Sequence, residues 1–274
     1  MSESKVNYPY FKPTQDILYH YTDYIALENI LKTKVLHFSN ILCLNDVSEY
    51  EHGVKKYFEY LKELMGKEKG DKHEIIFTRQ IMNCAKDIYV FCLSTEKDLL
   101  SQWRGYTSQK LGISIGFDTV KLEELSIRND LLFSGCVYNE ETIKSMCIDV
   151  FKEIIRQKDI GEIEKEGTIE TAIGSFAIIT KNNAFVEEKE FRVAVQPNPI
   201  GIKIKRDTKM NEERIISHAS VDIENCLPYL IREVVVGPVQ NQNEVEVAVN
   251  ILLNNYGIKG FKVTKSNIPY RGRL

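Results

Sequence analysis

Segments with the pattern of β-strands cluster near both ends of this 274-residue chain, and a block with helical periodicity separates them. Alternating or continuous apolar runs predict strands at 16–22, 35–40, 88–95, 112–118, 131–138, 188–196, 201–206, 231–238 and 260–266. Apolar residues three or four apart predict helices at 24–33, 44–65, 75–87, 141–158, 168–180 and 244–257. The charged stretch 66–74 is predicted as a solvated loop, and 98–107 as a short helix or turn. This arrangement predicts an α+β fold.

The chain is long enough to bury one large core, and no internal repeat or low-complexity linker divides it. Residues 1–16, which contain Pro9 and Pro13, are expected to form a lead-in arm. Residues 17–274 are expected to form a single domain, with a helical insertion at about 139–183.

Composition excludes several classes of protein. The net charge of −3 argues against a general electrostatic grip on nucleic acid, which needs a basic surplus. The first residues lack the apolar core of a signal peptide, and no apolar run reaches the length of a membrane span. The six cysteines are scattered without a CxxC pair, and neither they nor the five histidines have the spacing of a zinc site. We therefore expect a cytoplasmic protein with reduced thiols, no membrane partner and no metal.

Two segments place polar residues beside apolar strands. His20 lies in the predicted strand 16–22 and needs a hydrogen-bond partner there, so it is either a satisfied core histidine or a ligand-binding residue. The segment 101–106 contains the only tryptophan, Trp103, beside Arg104 and Tyr106, and it follows Ser94 and Thr95. Such a group either closes the core or forms an aromatic wall for a planar ligand.

Glu188 and Glu190 begin a predicted strand that continues through Arg192. Residues two apart in an extended chain share one face, so the two carboxylates can act on one ligand. One can stabilise developing positive charge while the other takes a proton from a nucleophile. The alternative is a solvated charge run at the start of a strand.

Two further segments are assigned structural roles. Asn45 and Asp46, with Glu49 three residues on, form a typical helix-capping arrangement. Near the C-terminus, Tyr270 and Arg271 suggest that the tail docks back onto the domain, either close to a site or only for packing.

These segments together resemble a bacterial family of uncharacterised domains. The resemblance rests on five motifs, which occur in order along most of the chain: His20-Tyr21-Thr22, Asn45-Asp46-Val47-Ser48-Glu49, Ser101 to Tyr106, Ile115-Gly116-Phe117-Asp118 and Glu188-Lys189-Glu190-Phe191-Arg192. The order of a histidine strand, a Ser/Thr or Tyr segment and a Glu-x-Glu strand is similar to the signature of the ADP-ribosyltransferase superfamily.

That resemblance implies a fold and an activity. It implies a split, antiparallel or mixed sheet with flanking helices, and an enzyme that cleaves the nicotinamide–ribose bond of NAD as its substrate. It implies that His20 binds NAD, that Glu190 is catalytic, and that Glu188 orients or deprotonates the acceptor. The remaining candidates for substrate binding are Tyr21, Thr22, Ser94, Thr95, Trp103, Arg104, Tyr106, Arg192, Tyr270 and Arg271. The second triad position is either Ser94-Thr95 or Tyr106.

Three functions follow as hypotheses. The first is an NAD-consuming transferase with an unknown macromolecular acceptor, or a glycohydrolase, acting as a toxin or antiviral defence effector by analogy with the superfamily. The second is a module that binds an NAD-derived nucleotide or signal without turnover. The third is a metal-independent nuclease using His20, His37 or His218, which the balanced charge does not favour. No GxGxxG fingerprint is present, so NAD is not expected as a redox cofactor.

Overall fold

The computed structural model describes residues 11–44, 48–107, 111–159, 168–195, 205–210 and 215–269. Within these ranges, ten strands form one sheet with helices on both faces. The strands are β1 (Ile17–Asp23), β2 (Val35–Asn40), β3 (Tyr89–Ser94), β4 (Gly112–Asp118), β5 (Leu132–Gly135), β6 (Glu190–Val195), β7 (Lys205–Met210), β8 (Ile215–Asp222), β9 (Ile231–Val236) and β10 (Lys262–Lys265). The helices are α1 (Tyr24–Thr33), α2 (Glu49–Met65), α3 (Lys67–Cys84), α4 (Leu100–Tyr106), α5 (Thr119–Arg128), α6 (Glu140–Asp159), α7 (Thr168–Ile179), α8 (Leu227–Leu230) and α9 (Gln242–Asn255). The predicted α+β class is confirmed.

The sheet is mixed, and it diverges at its centre. Its main path runs β10-β9-β4-β1-β3-β2-β8-β7, with β6 paired to β3 and β5. Only β10 and β9 pair in parallel among the described strands. β1 pairs with β4 along its whole length but meets β3 at a single pair, Tyr19 with Ser94. Beyond that pair the two strands separate.

Helices cover the two faces of the sheet in separate groups. One face carries α1, α5, α8 and α9 over a core that includes Leu18, Phe91 and Phe117. The other carries α2, α3, α6 and α7 over Val90, Leu132 and Ala194. On this second face α4 packs Trp103 against Tyr19 and Tyr21. Since α6 and α7 share their core with α2 and α3, they belong to one helical layer with elements outside the predicted insertion.

The loop predicted at 66–74 is wrong, because α3 begins at Lys67. Gly66, with φ of +87°, ends α2, and the charged residues after it face solvent from a helix. Lys62 in α2 pairs with Asp71 at 2.9 Å and Glu74 at 2.7 Å, so the charges join two helices. The polar composition of residues 67–74 is therefore that of an exposed helical segment, not of a loop.

Three of the described helices and strands were missed. Helices α5 and α8 and strand β8 were not predicted. Residues 201–204 of one predicted strand lie outside the described residues, as do Asn45 and Asp46 of the predicted helix cap. The N-cap of α2 is Ser48, which makes no side-chain capping bond. Within the described ranges, the helices are too short or too polar to span a bilayer.

Candidate functional site

Five charged side chains meet at the start of β6, and we refer to them as the ion-pair cluster: Glu49, Lys181, Glu188, Glu190 and Arg192. They come from the first turn of α2, the segment after α7, a 3₁₀ turn at 183–188 and β6. Glu190 and Arg192 share one face of β6 because they lie two residues apart. The fold therefore brings together residues that are far apart in sequence.

The cluster is held by short contacts. Arg192 Nε lies 2.9 Å from Glu190 Oε1, and Arg192 Nη2 lies 2.5 Å from Glu49 Oε2. Lys181 Nζ contacts carboxylate oxygens of Glu49 at 2.8 Å, Glu188 at 2.5 Å and Glu190 at 2.6 Å. Arg192 also donates to the Ile178 carbonyl in the last turn of α7, at 2.7 Å. Each buried charge therefore has a partner, as burial requires.

The carboxylates of Glu188 and Glu190 lie in different environments. Burial opposes ionisation of Glu190, but Arg192 and Lys181 outweigh it and hold its pKa well below the usual value. Burial raises the pKa of Glu188, and its bond to Lys181 only partly offsets this. With all groups ionised, three carboxylates face two cations, so the cluster carries one net negative charge. Neighbouring carboxylates with pKa values moved in opposite directions are typical of acid–base sites.

A cavity of about 370 Å³ lies against the cluster, and we call it the central cavity. Residues of α4 and all five residues of the cluster line it. The α4 residues on its surface are Ser101, Gln102, Gly105 and Tyr106. A narrower space of about 30 Å³, the histidine recess, shares Gln102, Tyr106, Glu188 and Glu190 with the central cavity and reaches His20. The two spaces form one candidate ligand site.

His20 lies where β1 and β3 separate. Its Nδ1 is 2.9 Å from the Cys92 carbonyl, and its ring stacks on Phe91 with centroids 4.3 Å apart. A carbonyl only accepts, so Nδ1 carries the proton and Nε2 has the lone pair in the neutral ring. Burial lowers the pKa of His20, which keeps the ring neutral. His20 is therefore both a satisfied structural histidine and part of the recess wall.

A third cavity of about 650 Å³ borders the other side of Glu190. Its walls include the arm residues 11–15, Thr95, Tyr138 and Lys189. The Glu190 backbone N–H donates to Tyr138 Oη at 3.0 Å, so this phenol fixes the start of β6. Glu190 therefore lies between the central cavity and a second solvent-accessible space.

The structure places the predicted site residues in three groups. His20, Tyr21, Tyr106, Glu188, Glu190 and Arg192 line the central cavity or the histidine recess. Thr22, Ser94, Trp103 and Arg104 are not among the lining residues of either space, and Thr95 lines the third cavity. Tyr270 and Arg271 lie outside the described residues.

Two residues predicted to touch substrate have structural partners instead. Trp103 is fully buried, meets Tyr21 edge to face and donates from Nε1 to Asp98 at 2.7 Å. The buried Ser94 hydroxyl donates to the Glu188 carbonyl at 2.7 Å, which fixes the turn before β6. Because Trp103 is fully buried in this packing, its ring offers no free face for the predicted stacking of a ligand.

Sequence reasoning missed Glu49, Lys181, Cys92 and Gln102 as site residues. Glu49 was assigned to helix capping, yet its carboxylate pairs with Arg192 and Lys181. In the sequence, Lys181 directly follows a long apolar run, and this position could have marked it as a buried charge. His37 and His218, whose rings lie 4.6 Å apart on β2 and β8, line neither the central cavity nor the recess.

In the described ranges, no group of three or more His, Cys, Asp or Glu side chains is arranged to hold a metal ion. The three carboxylates of the cluster are instead bridged by Lys181 and Arg192.

The site and fold define an α+β protein with a buried, charged cavity at the centre of a mixed sheet. Residues 102–193 match the family described as "Protein of unknown function (DUF2971)". The match covers about a third of the chain and runs from α4 to β6. It contains Lys181, Glu188, Glu190 and Arg192 of the cluster and the cavity residues of α4 from Gln102 onward, but neither His20 nor Glu49. No curated protein and no solved structure matches the chain.

Proposed function

We propose that the central cavity cleaves the nicotinamide–ribose bond of NAD and passes ADP-ribose to an acceptor hydroxyl or to water. The observation that carries this proposal is the pair Glu188 and Glu190, which line one cavity with pKa values shifted in opposite directions. Such a pair supplies both a fixed negative charge and a proton acceptor.

The chemistry assigns each carboxylate a role. As the bond between C1′ and the pyridinium nitrogen breaks, its electron pair goes to nitrogen, neutral nicotinamide leaves and positive charge develops on the ribose. Glu190, held ionised by Arg192 and Lys181, stabilises that charge. The acceptor oxygen bonds to C1′ and its proton passes to Glu188, whose pKa is raised by burial, so that it is a stronger base than an exposed carboxylate.

The surrounding residues support the same assignment. The divergence of β1 from β3 opens the sheet beside His20, which fits the split sheet implied by the sequence resemblance. Tyr106 is 46% exposed at the end of α4, where its ring can cover a bound pyridine. The neutral His20 ring can accept a hydrogen bond from ribose without adding positive charge near the developing cation.

A binding module without turnover is the second candidate. It is favoured by the fact that both Glu190 oxygens already contact cations, Oε1 with Arg192 and Oε2 with Lys181 and Arg192. In that case Glu190 would shape the cavity without contacting the reacting carbon.

The test of the proposed function is release of nicotinamide from NAD by the purified chain, with and without cell lysate. Release in buffer alone indicates hydrolysis, and release that requires lysate indicates transfer to a cellular acceptor. Saturable NAD binding without nicotinamide release in either condition would contradict the enzymatic function and support the binding module.

Glu188→Gln is expected to remove the acidic limb of the pH profile. If Glu188 is the base, kcat/KM falls as the pH drops through its raised pKa, because the protonated carboxyl accepts no proton. The variant should lose about 10²-fold in rate at neutral pH and show a flat acidic side. Glu187→Gln, at the exposed neighbour, is the matched control. An unchanged profile in Glu188→Gln would remove Glu188 from this role.

Gly105→Leu is expected to abolish activity without disturbing a charge. A Cβ added at Gly105 meets no atom within 4 Å, and the residue lines the central cavity, so a leucine side chain enters ligand space. Glycine also weakens a helix by about 0.5–1 kcal/mol relative to alanine, so Gly105→Ala should fold at least as stably as the wild type. The measurement is nicotinamide release beside thermal denaturation. Full activity in Gly105→Leu would place the reaction outside this cavity.

A further inference from the structure

Gln102 has a largely buried side chain whose amide has no hydrogen-bond partner in the described part of the chain. The residue is 8% exposed and lines both the central cavity and the histidine recess. Its amide oxygen and nitrogen are not fully enclosed by protein, so they remain accessible to a ligand from these spaces. The adjacent Ser101 hydroxyl, also on the cavity wall, is fully buried and unpaired, although buried polar groups are nearly always paired. This arrangement is expected where a ligand supplies the missing partners.

The geometry of α4 sets Gln102 beside space for a flat ring. Gln102 and Tyr106 lie four residues apart, so they share one face of the helix. Gly105, the residue before Tyr106, also lines the cavity, and an added Cβ there meets no atom within 4 Å. Glu188 and Glu190 line the same spaces as Gln102 and Tyr106. A ring held between Tyr106 and these carboxylates brings its substituent to Gln102.

The chemistry of the wall restricts what that substituent can be. With all its groups ionised the cluster carries one net negative charge, so an anionic substituent such as a carboxylate is disfavoured beside it. A primary amide offers one acceptor and two donors, and a second primary amide complements it with two antiparallel hydrogen bonds. We propose that Gln102 recognises the carboxamide of an aromatic carboxamide leaving group. This specificity role rests on the proposed function for the identity of that group as nicotinamide.

The experiment compares neutral ring ligands, so that the charge of the cluster does not decide the outcome. Nicotinamide and 3-acetylpyridine, which keeps the carbonyl but lacks the NH₂ donors, are titrated by calorimetry into the full-length wild type and Gln102→Met. Methionine retains the length of the side chain and removes its donor and acceptors. Gln80→Met, an exposed position on α3, is the matched control.

The wild type and Gln80→Met are expected to prefer nicotinamide over 3-acetylpyridine by about 10- to 100-fold, because the analogue leaves the amide oxygen of Gln102 without a donor. Gln102→Met should bind both equally, with nicotinamide weakened and 3-acetylpyridine little changed. Retained discrimination in Gln102→Met would overturn the assignment. So would adenine binding that depends on Gln102, since an amide can also pair with that base.

The two proposals fail in different ways. Nicotinamide binding that requires Gln102, without NAD cleavage, leaves the amide site standing and removes the enzymatic function. NAD cleavage that Gln102→Met leaves unchanged in KM and kcat removes the amide site and leaves the enzymatic function standing. A cooperative thermal denaturation of Gln102→Met is the control that the variant is folded in both experiments.

Discussion

Arg192→Met is expected to lower the free energy of unfolding by about 3–5 kcal/mol. Arg192 is 1% exposed and is the partner of both Glu49 and Glu190, so its loss leaves buried carboxylates with Lys181 alone. The guanidinium also satisfies the Ile178 carbonyl at the end of α7. Urea unfolding followed by circular dichroism measures the effect.

The pH dependence of this loss has a definite sign. In the wild type, Arg192 and Lys181 depress the pKa of Glu190, so its contribution is present above the unfolded pKa and is lost as pH falls through the folded one. Without the guanidinium, Glu190 is more easily protonated, so the penalty of Arg192→Met should shrink in acid. Arg232→Met breaks an exposed pair with Asp118 and is the matched control, expected to cost at most about 1 kcal/mol. Equal losses in the two variants would contradict the account of the cluster.

Glu190→Gln is expected to slow nicotinamide release by about 10²–10³-fold, the usual effect of removing one preorganised electrostatic contact. Glutamine keeps the shape of the side chain but carries no charge to stabilise the ribose cation. It also presents an amide NH₂ toward Arg192 or Lys181, so some loss of stability is expected as well. Assays below the denaturation midpoint of the variant separate the two effects.

The matched control for this variant is Glu187→Gln, because Glu187 is exposed three residues away. NAD affinity is measured alongside, since a charge that acts in the transition state changes kcat more than binding. A fall in affinity with an unchanged rate at saturating NAD would place Glu190 in ligand binding alone.

Local patterns predicted most of the fold. The alternation of GISIGFD predicts β4, because its large apolar residues share one face of the strand, although both faces are buried in the fold. The spacing of Val54, Phe58 and Leu61 predicts α2, because these residues share one buried face of the helix. The hydrophobic pattern failed to predict the helix at 67–74, because charged residues dominate this segment. Two of them, Asp71 and Glu74, pair with Lys62 of α2. It also failed at α5, where charged and polar residues interrupt the apolar ones and the only large buried residues are Leu122 and Leu125.

The site could be predicted only in part. The Glu188 and Glu190 pair was visible because residues two apart in a strand share a face. Glu49 and Lys181 were not, since their partnership depends on the packing of α2 against α7, which a sequence spacing of more than a hundred residues does not reveal. Trp103 was expected at a ligand because it is unique and flanked by polar residues, but its indole completes a small core with Tyr19 and Tyr21.

The most direct test of the account is the amount of nicotinamide that the purified chain releases from saturating NAD, with lysate as a source of acceptors, beside Glu190→Gln at equal NAD occupancy. The account predicts steady release by the wild type and a rate lower by about 10²–10³-fold in the variant. No release by the wild type in buffer or lysate, or equal rates from the two proteins, would contradict it.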